Sequence, residues 1–376
     1  MTARIRRFLA ENQPATPCLV VDLDVVEQNY QDLKRALPHA TIYYAMKANP
    51  APEILRLLAG LGSSFDAASI YEIRDVLAAG ATPDRISFGN TIKKQSDIAA
   101  AHALGIRLYA FDSEAELQKL AAAAPGARVF CRLLMTGEGA DWPLGRKFGC
   151  ELEMARDLLV RAAELGLDPY GVSFHVGSQQ RDLGQWDIAV GRTAMLFSEL
   201  NERGIKLRMV NVGGGFPARY RVEAPETDDH AAAIMRAMTR HFGNDLPEML
   251  VEPGRSIVGD AGMIESEVVL VSRKGYDDEE RWVYLDIGKF GGLIETMDEA
   301  IKYRLTTSRD GGATGRVILA GPTCDEVDVL YKKTQYELPL DLKPGDRVQF
   351  LSTGAYTSTY CSVGFNGLPP LATHCI

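Results

Sequence analysis

The chain reads as a (β/α)8 TIM-type barrel joined to a second, C-terminal β domain, and three observations carry that expectation. Between about residues 40 and 255, short apolar runs rich in β-branched and aromatic residues alternate with alanine- and leucine-rich stretches, the pattern of βα units around a parallel sheet. Eight such runs fit in that span, which matches a closed barrel, and no Gly-x-Gly-x-x-Gly follows the first run as a doubly wound dinucleotide-binding sheet would require. After Gly259 the pattern changes to strands without full-length helices between them.

Taken in order, the expected barrel strands are Thr41–Lys47, Ser63–Ser69, Arg85–Asn90, Arg107–Asp112, Arg128–Met135, Tyr170–Gly177, Arg208–Gly213 and Glu248–Glu252. Met263–Arg273, Arg281–Ile287, Gly315–Ala320 and Arg347–Leu351 read as strands of the second domain, with Pro17–Val21 as a partner supplied from the N-terminus. Ala121–Ala124 reads as helix rather than linker. The expected division is a barrel over residues 26–260 and a β domain built from residues 1–25 and 261–376.

With 376 residues, 46% of them hydrophobic, the chain can bury a large core and has room for more than one domain. Its formal charge of -9 gives no electrostatic reason to bind nucleic acid or an anionic membrane, and favours a cationic substrate. Cys18, Cys131, Cys150, Cys324, Cys361 and Cys375 are scattered without Cys-x-x-Cys pairs, so neither a metal site nor a disulfide framework is expected. Met1 to Gln13 lacks the apolar stretch of a signal peptide, and no segment reaches the roughly 18 apolar residues of a membrane span. A cytoplasmic protein is expected.

Polar residues at the carboxyl ends of barrel strands line the catalytic mouth, whereas those at the other end serve stability. The first strand ends Ala45-Met46-Lys47-Ala48-Asn49-Pro50, which places an ammonium group at the mouth of an apolar strand. Desolvation there suits amine chemistry, and the plainer reading is a lysine that snorkels to water. The sixth strand ends Ser173-Phe174-His175-Val176-Gly177-Ser178, and His175 is a base, a metal ligand, a stacking partner or a satisfied core residue. The seventh ends Val212-Gly213-Gly214-Gly215-Phe216-Pro217, a turn or an anion cradle whose N–H groups no side chain obstructs. The eighth ends Val251-Glu252-Pro253-Gly254-Arg255, a surface ion pair or a carboxylate beside a guanidinium suited to phosphate. In the β domain, Gly321 to Asp328 offers a thiol and carboxylates, and Gly354-Ala355-Tyr356-Thr357 offers a phenol beside glycine. An amine, a stacking ring, a glycine cradle, a carboxylate and an arginine, all at strand ends, form the set that pyridoxal phosphate (PLP) requires.

The same residues carry a family resemblance. Tyr44-Ala45-Met46-Lys47-Ala48-Asn49, Phe65-Asp66-Ala67-Ala68-Ser69, Phe174-His175-Val176-Gly177-Ser178, Gly213-Gly214-Gly215-Phe216-Pro217, Glu252-Pro253-Gly254-Arg255, Gly321-Pro322-Thr323-Cys324-Asp325 and Gly354-Ala355-Tyr356-Thr357 resemble, in order, the motifs of the fold-type III PLP-dependent decarboxylases. They span nearly the whole chain. The Cys324-Asp325 pair is similar to ornithine decarboxylases, whereas diaminopimelate decarboxylases of the same family carry Cys-Glu.

The resemblance implies an alanine-racemase-like barrel with a β domain, assembled as a head-to-tail homodimer whose active sites are shared between subunits. It implies that Lys47 carries the cofactor as a Schiff base, that His175 stacks on the pyridine face and that Glu252 pairs with the ring nitrogen. Ser178, Gly213, Gly214, Gly215, Arg255 and Tyr356 would hold the phosphate, with Asp66 and Arg132 near the lysine and cofactor. Cys324 would return a proton to the decarboxylated carbon and Asp325 would meet the distal amine, both reaching in from the partner subunit. The substrate-amine aspartate of ornithine decarboxylases follows a tyrosine in a stretch one residue longer than Met297-Asp298-Glu299-Ala300, so Asp298 is the expected residue and Glu295 its competitor.

The implied reaction is decarboxylation of L-ornithine to putrescine, a step of polyamine biosynthesis, with L-lysine to cadaverine beside it. The alternatives are a diaminopimelate- or carboxynorspermidine-type decarboxylase and, in a different class, a non-catalytic PLP-binding or regulatory paralogue. The presence of Lys47 and Cys324 weighs against the last. Racemases of this fold tend to carry arginine where Glu252 stands, so Glu252 favours decarboxylation.

Overall fold

The computed structural model describes residues 1–142 and 145–376, and the chain divides into two compact units. One comprises Glu27–Pro217 and Ala224–Ile257, the other Met1–Val26, Ala218–Glu223 and Val258–Ile376.

The first unit is a closed barrel of eight parallel strands: Ala40–Ala45, Ser64–Ala67, Ile86–Phe88, Leu108–Phe111, Arg128–Arg132, Asp168–Ser173, Met209–Asn211 and Glu248–Val251. They pair in chain order, and the last closes on the first with Val251 opposite Ile42. Each overlaps a run expected from the sequence. Several expected runs extend past the ladder because the apolar pattern continues into the mouth loops. Some outer helices start on side chains that satisfy free backbone donors: the Ser69 hydroxyl accepts the Glu72 N–H at 3.2 Å, and Glu226 and Asp229 cap Thr227–Phe242 reciprocally. After Ile70–Ala78 the chain turns back through Gly80 at φ +99°, a conformation that costs a Cβ-bearing residue energy.

Tyr43, Leu108, Ala110, Phe130, Met209 and Leu250, with Tyr170 beside them, form one buried cluster drawn from the first strand and the fourth to eighth. Side chains from opposite strands meet only inside, so this is the filled interior that keeps the mouth rigid. Each such aromatic or leucine side chain stabilises the fold by about 1.5–3 kcal/mol through burial.

A short antiparallel ribbon pairs Ala140–Trp142, after the fifth strand, with Ser178–Gln180, after the sixth, and was not expected from the sequence. Three-residue strands are too short for an alternation to register.

The second unit is an eight-stranded mixed sheet in the order Arg304–Thr307, Arg347–Leu351, Gly262–Ser272, Arg281–Leu285, Thr314–Ala320, Val329–Pro339. Cys18–Val21 pairs antiparallel with Gly262–Glu265 and parallel with Ala372–Cys375. The helix Ala3–Asn12, capped by the Thr2 hydroxyl, buries Ile5 with Cys18, Val20 and Met263. The strands Arg304–Thr307, Val329–Pro339 and Ala372–Cys375 were not expected from the sequence. In Val329–Pro339 Lys332, Lys333 and Gln335 are exposed, and they interrupt the buried positions of the strand. All six cysteines are free thiols. Among the described residues no helix is long and apolar enough to cross a membrane, and no three His, Cys, Asp or Glu side chains are grouped to hold a metal ion.

Candidate active site

At the barrel mouth, Lys47 sits in a single 3-10 turn, Met46–Ala48, directly after the first strand. That turn is pinned on both sides: the Tyr44 hydroxyl donates to the Asn49 carbonyl at 2.8 Å, and the Ala45 N–H donates to the Pro253 carbonyl at 2.9 Å. Lys47 Nζ lies 4.0 Å from Asp66 Oδ2; the lysine side chain is 48% exposed and the aspartate is buried. Asp66, near the end of the second strand, accepts the Ser87 hydroxyl at 3.1 Å. Arg132 ends the fifth strand with its guanidinium 5.2 Å above the Phe148 ring.

Glu252 follows the eighth strand immediately, and its carboxylate accepts a hydrogen bond from the Asn211 amide. Burial pushes the Glu252 carboxyl up to about 7, and Asp66 adds to the rise, while Lys47, the Asn211 hydrogen bond and Arg132 pull it back. His175 accepts the Gly177 N–H on Nδ1 at 3.0 Å, so a neutral ring carries its hydrogen on Nε2. Burial, with Arg132 and Lys47 nearby, holds His175 well below the usual imidazole range, and the ring is uncharged at neutral pH.

The glycine loop is closed to any side chain. A methyl group at Gly213 would stand 2.2 Å from the Phe174 carbonyl oxygen, and one at Gly215 2.8 Å from that of Gly177. At Gly214 it would stand 2.7 Å from the Glu252 carbonyl oxygen and 3.2 Å from His175 Nε2. The Gln180 N–H donates to the Gly215 carbonyl at 2.9 Å and ties the loop to the Ser178–Gln180 ribbon. Arg255 donates to the Ser178 hydroxyl from Nε at 3.3 Å and from Nη2 at 3.1 Å. Bare glycine amides, a hydroxyl and a guanidinium form a donor set for a phosphate. With an amine and a recessed carboxylate on neighbouring strand ends, the residues present fit PLP.

In the β unit, Cys324 and Asp325 are exposed on one loop, where the Cys324 N–H donates to Asn366 Oδ1 at 2.9 Å and Asp325 accepts the Val327 N–H at 2.9 Å. The buried Asp328 carboxylate fastens this loop, taking the Thr323 hydroxyl at 2.7 Å, and also takes the Lys289 N–H at 2.7 Å. One carboxylate thus holds both the thiol loop and the segment leading to Glu295 and Asp298. Glu295 is 3% exposed, whereas Asp298 is exposed at φ +52°. Tyr356 lies in a turn at φ +56°, braced by the Thr357 hydroxyl donating to the Thr353 carbonyl at 2.7 Å.

Sequence reasoning passed over Asn211 and Ser87, which hold Glu252 and Asp66 in place. Asn211 had a readable signal, since it is a polar residue that ends the seventh strand two positions before the glycine loop.

A closed barrel whose mouth combines amine, carboxylate and phosphate cradle defines a PLP-binding barrel. The sequence profile of a family described as "Pyridoxal-dependent decarboxylase, pyridoxal binding domain" matches residues 23–259. The lysine/ornithine decarboxylase of Selenomonas ruminantium is 38% identical over 363 residues, covering 96% of this chain and 89% of that protein. The solved structure of the lysine decarboxylase from that organism with PLP and cadaverine aligns at TM-score 0.89 and 35% identity, over 100% of this chain and 94% of that one. The arginine decarboxylase of Paramecium bursaria Chlorella virus aligns at TM-score 0.91 and 28% identity, over 100% of both chains. The chain belongs to the pyridoxal-dependent decarboxylase family and is a PLP-dependent carboxy-lyase on an alanine-racemase-like barrel.

Proposed function

We propose that the chain decarboxylates L-ornithine to putrescine and also L-lysine to cadaverine, as a cytoplasmic homodimer serving polyamine biosynthesis. The observation that carries the reaction type is the recessed Glu252 carboxylate in the same strand-end site as Lys47. The substrate class is supported by the relative that acts on lysine and ornithine and by the carboxylates of Glu295, Asp298 and Asp325, the last next to Cys324 in the sequence.

When bound, PLP supplies the electron sink for the pair left by departing CO2. Lys47 would hold the cofactor's aldehyde carbon through its amine, with Asp66 nearby favouring the protonated nitrogen. His175, neutral and fixed by the Gly177 amide, would lie flat against the ring without adding charge. Glu252, ionised, would hold a proton on the pyridine nitrogen, which deepens the sink. The glycine amides, Ser178, Arg255 and Tyr356 would hold the phosphate, and Arg132 would balance the carboxylates at the mouth. Cys324 would deliver a proton to the α-carbon, and Asp298, in competition with Glu295, and Asp325 would bind the distal ammonium of the substrate. In the proposed dimer Cys324 and Asp325 come from the partner subunit.

One methylene discriminates by about 1–3 kcal/mol in a pocket, so ornithine and lysine should differ by no more than about 200-fold. The test is kcat/KM of purified, cofactor-loaded enzyme for ornithine, lysine, arginine and diaminopimelate. Ornithine and lysine ahead of the other two supports the proposal; arginine or diaminopimelate ahead of both overturns the substrate assignment.

A further inference from the structure

Three hydrogen bonds form a closed ring at the carboxyl ends of the seventh and eighth strands. Asn211 Oδ1 accepts the Gly213 N–H at 2.9 Å, Asn211 Nδ2 donates to Glu252 Oε1, and the Glu252 N–H donates to the Gly213 carbonyl at 2.8 Å. Asn211 is 1% exposed, and its own carbonyl accepts the Phe174 N–H at 3.1 Å, so the sixth strand holds it from the other side. Its amide orientation is fixed by chemistry: Gly213 offers a donor, so the oxygen must face it, which leaves the NH2 group for the carboxylate.

We propose that Asn211 is a positioning residue for the decarboxylation: it orients the Glu252 carboxylate and couples it to the backbone of the glycine loop. The inference rests on the reading of Glu252 as the partner of the pyridine nitrogen. A glutamate side chain has several rotatable bonds and finds its place at a buried site only when an oxygen is held. Asn211 holds Oε1, which leaves Oε2 to meet the ring. The same amide fixes the first turn of the loop that would receive the phosphate, so the two ends of the cofactor are read by one rigid unit. A neutral donor serves better here than an aspartate, because a second carboxylate would repel Glu252 unless the two shared a proton.

The test is PLP binding to the full-length cofactor-free chain, followed by fluorescence from about pH 6 to about pH 9. Wild type is compared with Asn211→Leu, Asn211→Asp and Glu252→Gln. Asn211→Leu keeps the volume and loses both hydrogen bonds, and its affinity should fall about ten-fold or more throughout. Asn211→Asp keeps the acceptor for Gly213; its affinity should match wild type at the acid end, where the new carboxyl is protonated and donates. It should fall about ten-fold as pH rises and the two carboxylates repel. Wild-type affinity with wild-type pH dependence in Asn211→Asp overturns the inference, and that variant decides the matter if Asn211→Leu does not fold. Glu252→Gln separates the two readings. If it alters binding while the Asn211 variants do not, only the positioning role fails; if it binds and turns over as wild type, the role of Glu252 itself fails.

Discussion

Replacing Glu252 by Gln should change the pH dependence of folding stability in the cofactor-free enzyme. The structure holds the Glu252 carboxyl at about 7 against an ordinary 4.5, chiefly through burial and then through Asp66. Below about pH 4.5 the group is protonated whether the chain is folded or not, and no penalty exists. Between about pH 4.5 and 7 the unfolded chain releases its proton first, so stability falls as pH rises. Above that window the full cost of holding the buried anion is present, about 3 kcal/mol for this displacement. Glutamine has nothing to ionise and still accepts the Asn211 hydrogen bond on its side-chain oxygen. Urea unfolding of both proteins at several pH values should show no difference between their pH trends below about pH 4.5, with the variant gaining about 3 kcal/mol over wild type by about pH 8. A difference that does not vary with pH would refute the assignment of a raised, buried carboxyl. In the loaded enzyme the same substitution should lower kcat, because glutamine holds no proton on the pyridine nitrogen.

Gly214→Ala should weaken PLP binding by about 5- to 100-fold, since the added methyl meets the Glu252 carbonyl oxygen at 2.7 Å and overpacking of this kind costs about 1–3 kcal/mol; fluorescence titration of the folded variant measures it. Asp298→Ala should reduce kcat/KM for ornithine by more than Glu295→Ala while PLP affinity stays within two-fold in both; the reverse order would assign the distal amine to Glu295. Mixing Lys47→Ala with Cys324→Ala subunits, once exchange is verified with differently tagged chains, should restore roughly a quarter of wild-type activity, because half the dimers are mixed and each holds one intact site. Activity that stays at the level of the separate variants would place Cys324 within its own chain.

The barrel was legible because most of its strands are apolar runs buried on both faces, from Ile42–Ala45 to Met249–Val251, and most are followed by a helix of nine residues or more. The β unit was harder. Val329–Pro339 carries its exposed lysines mid-strand, and Arg304–Thr307 is four residues long, so neither presents a period to read. At the site, Lys47, His175, Glu252 and the glycine loop stand at strand ends, where the fold itself directs attention. Asn211 also ends a strand, but its role comes from a ring of hydrogen bonds closed by residues 2 and 41 positions away, which no local pattern shows. The burial that raises Glu252 belongs to the assembled mouth and is written in no single segment.

The most direct measurement is incubation of the cofactor-loaded enzyme with L-ornithine in D2O, followed by NMR and mass spectrometry. Loss of CO2 with return of a solvent-derived proton gives putrescine bearing a single deuterium on the carbon that held the carboxylate, and that product is expected. Ornithine recovered with its carboxylate intact and deuterium at Cα, or as a racemate, would contradict it: the Lys47 and Glu252 site would then be moving protons without breaking the carbon–carboxylate bond.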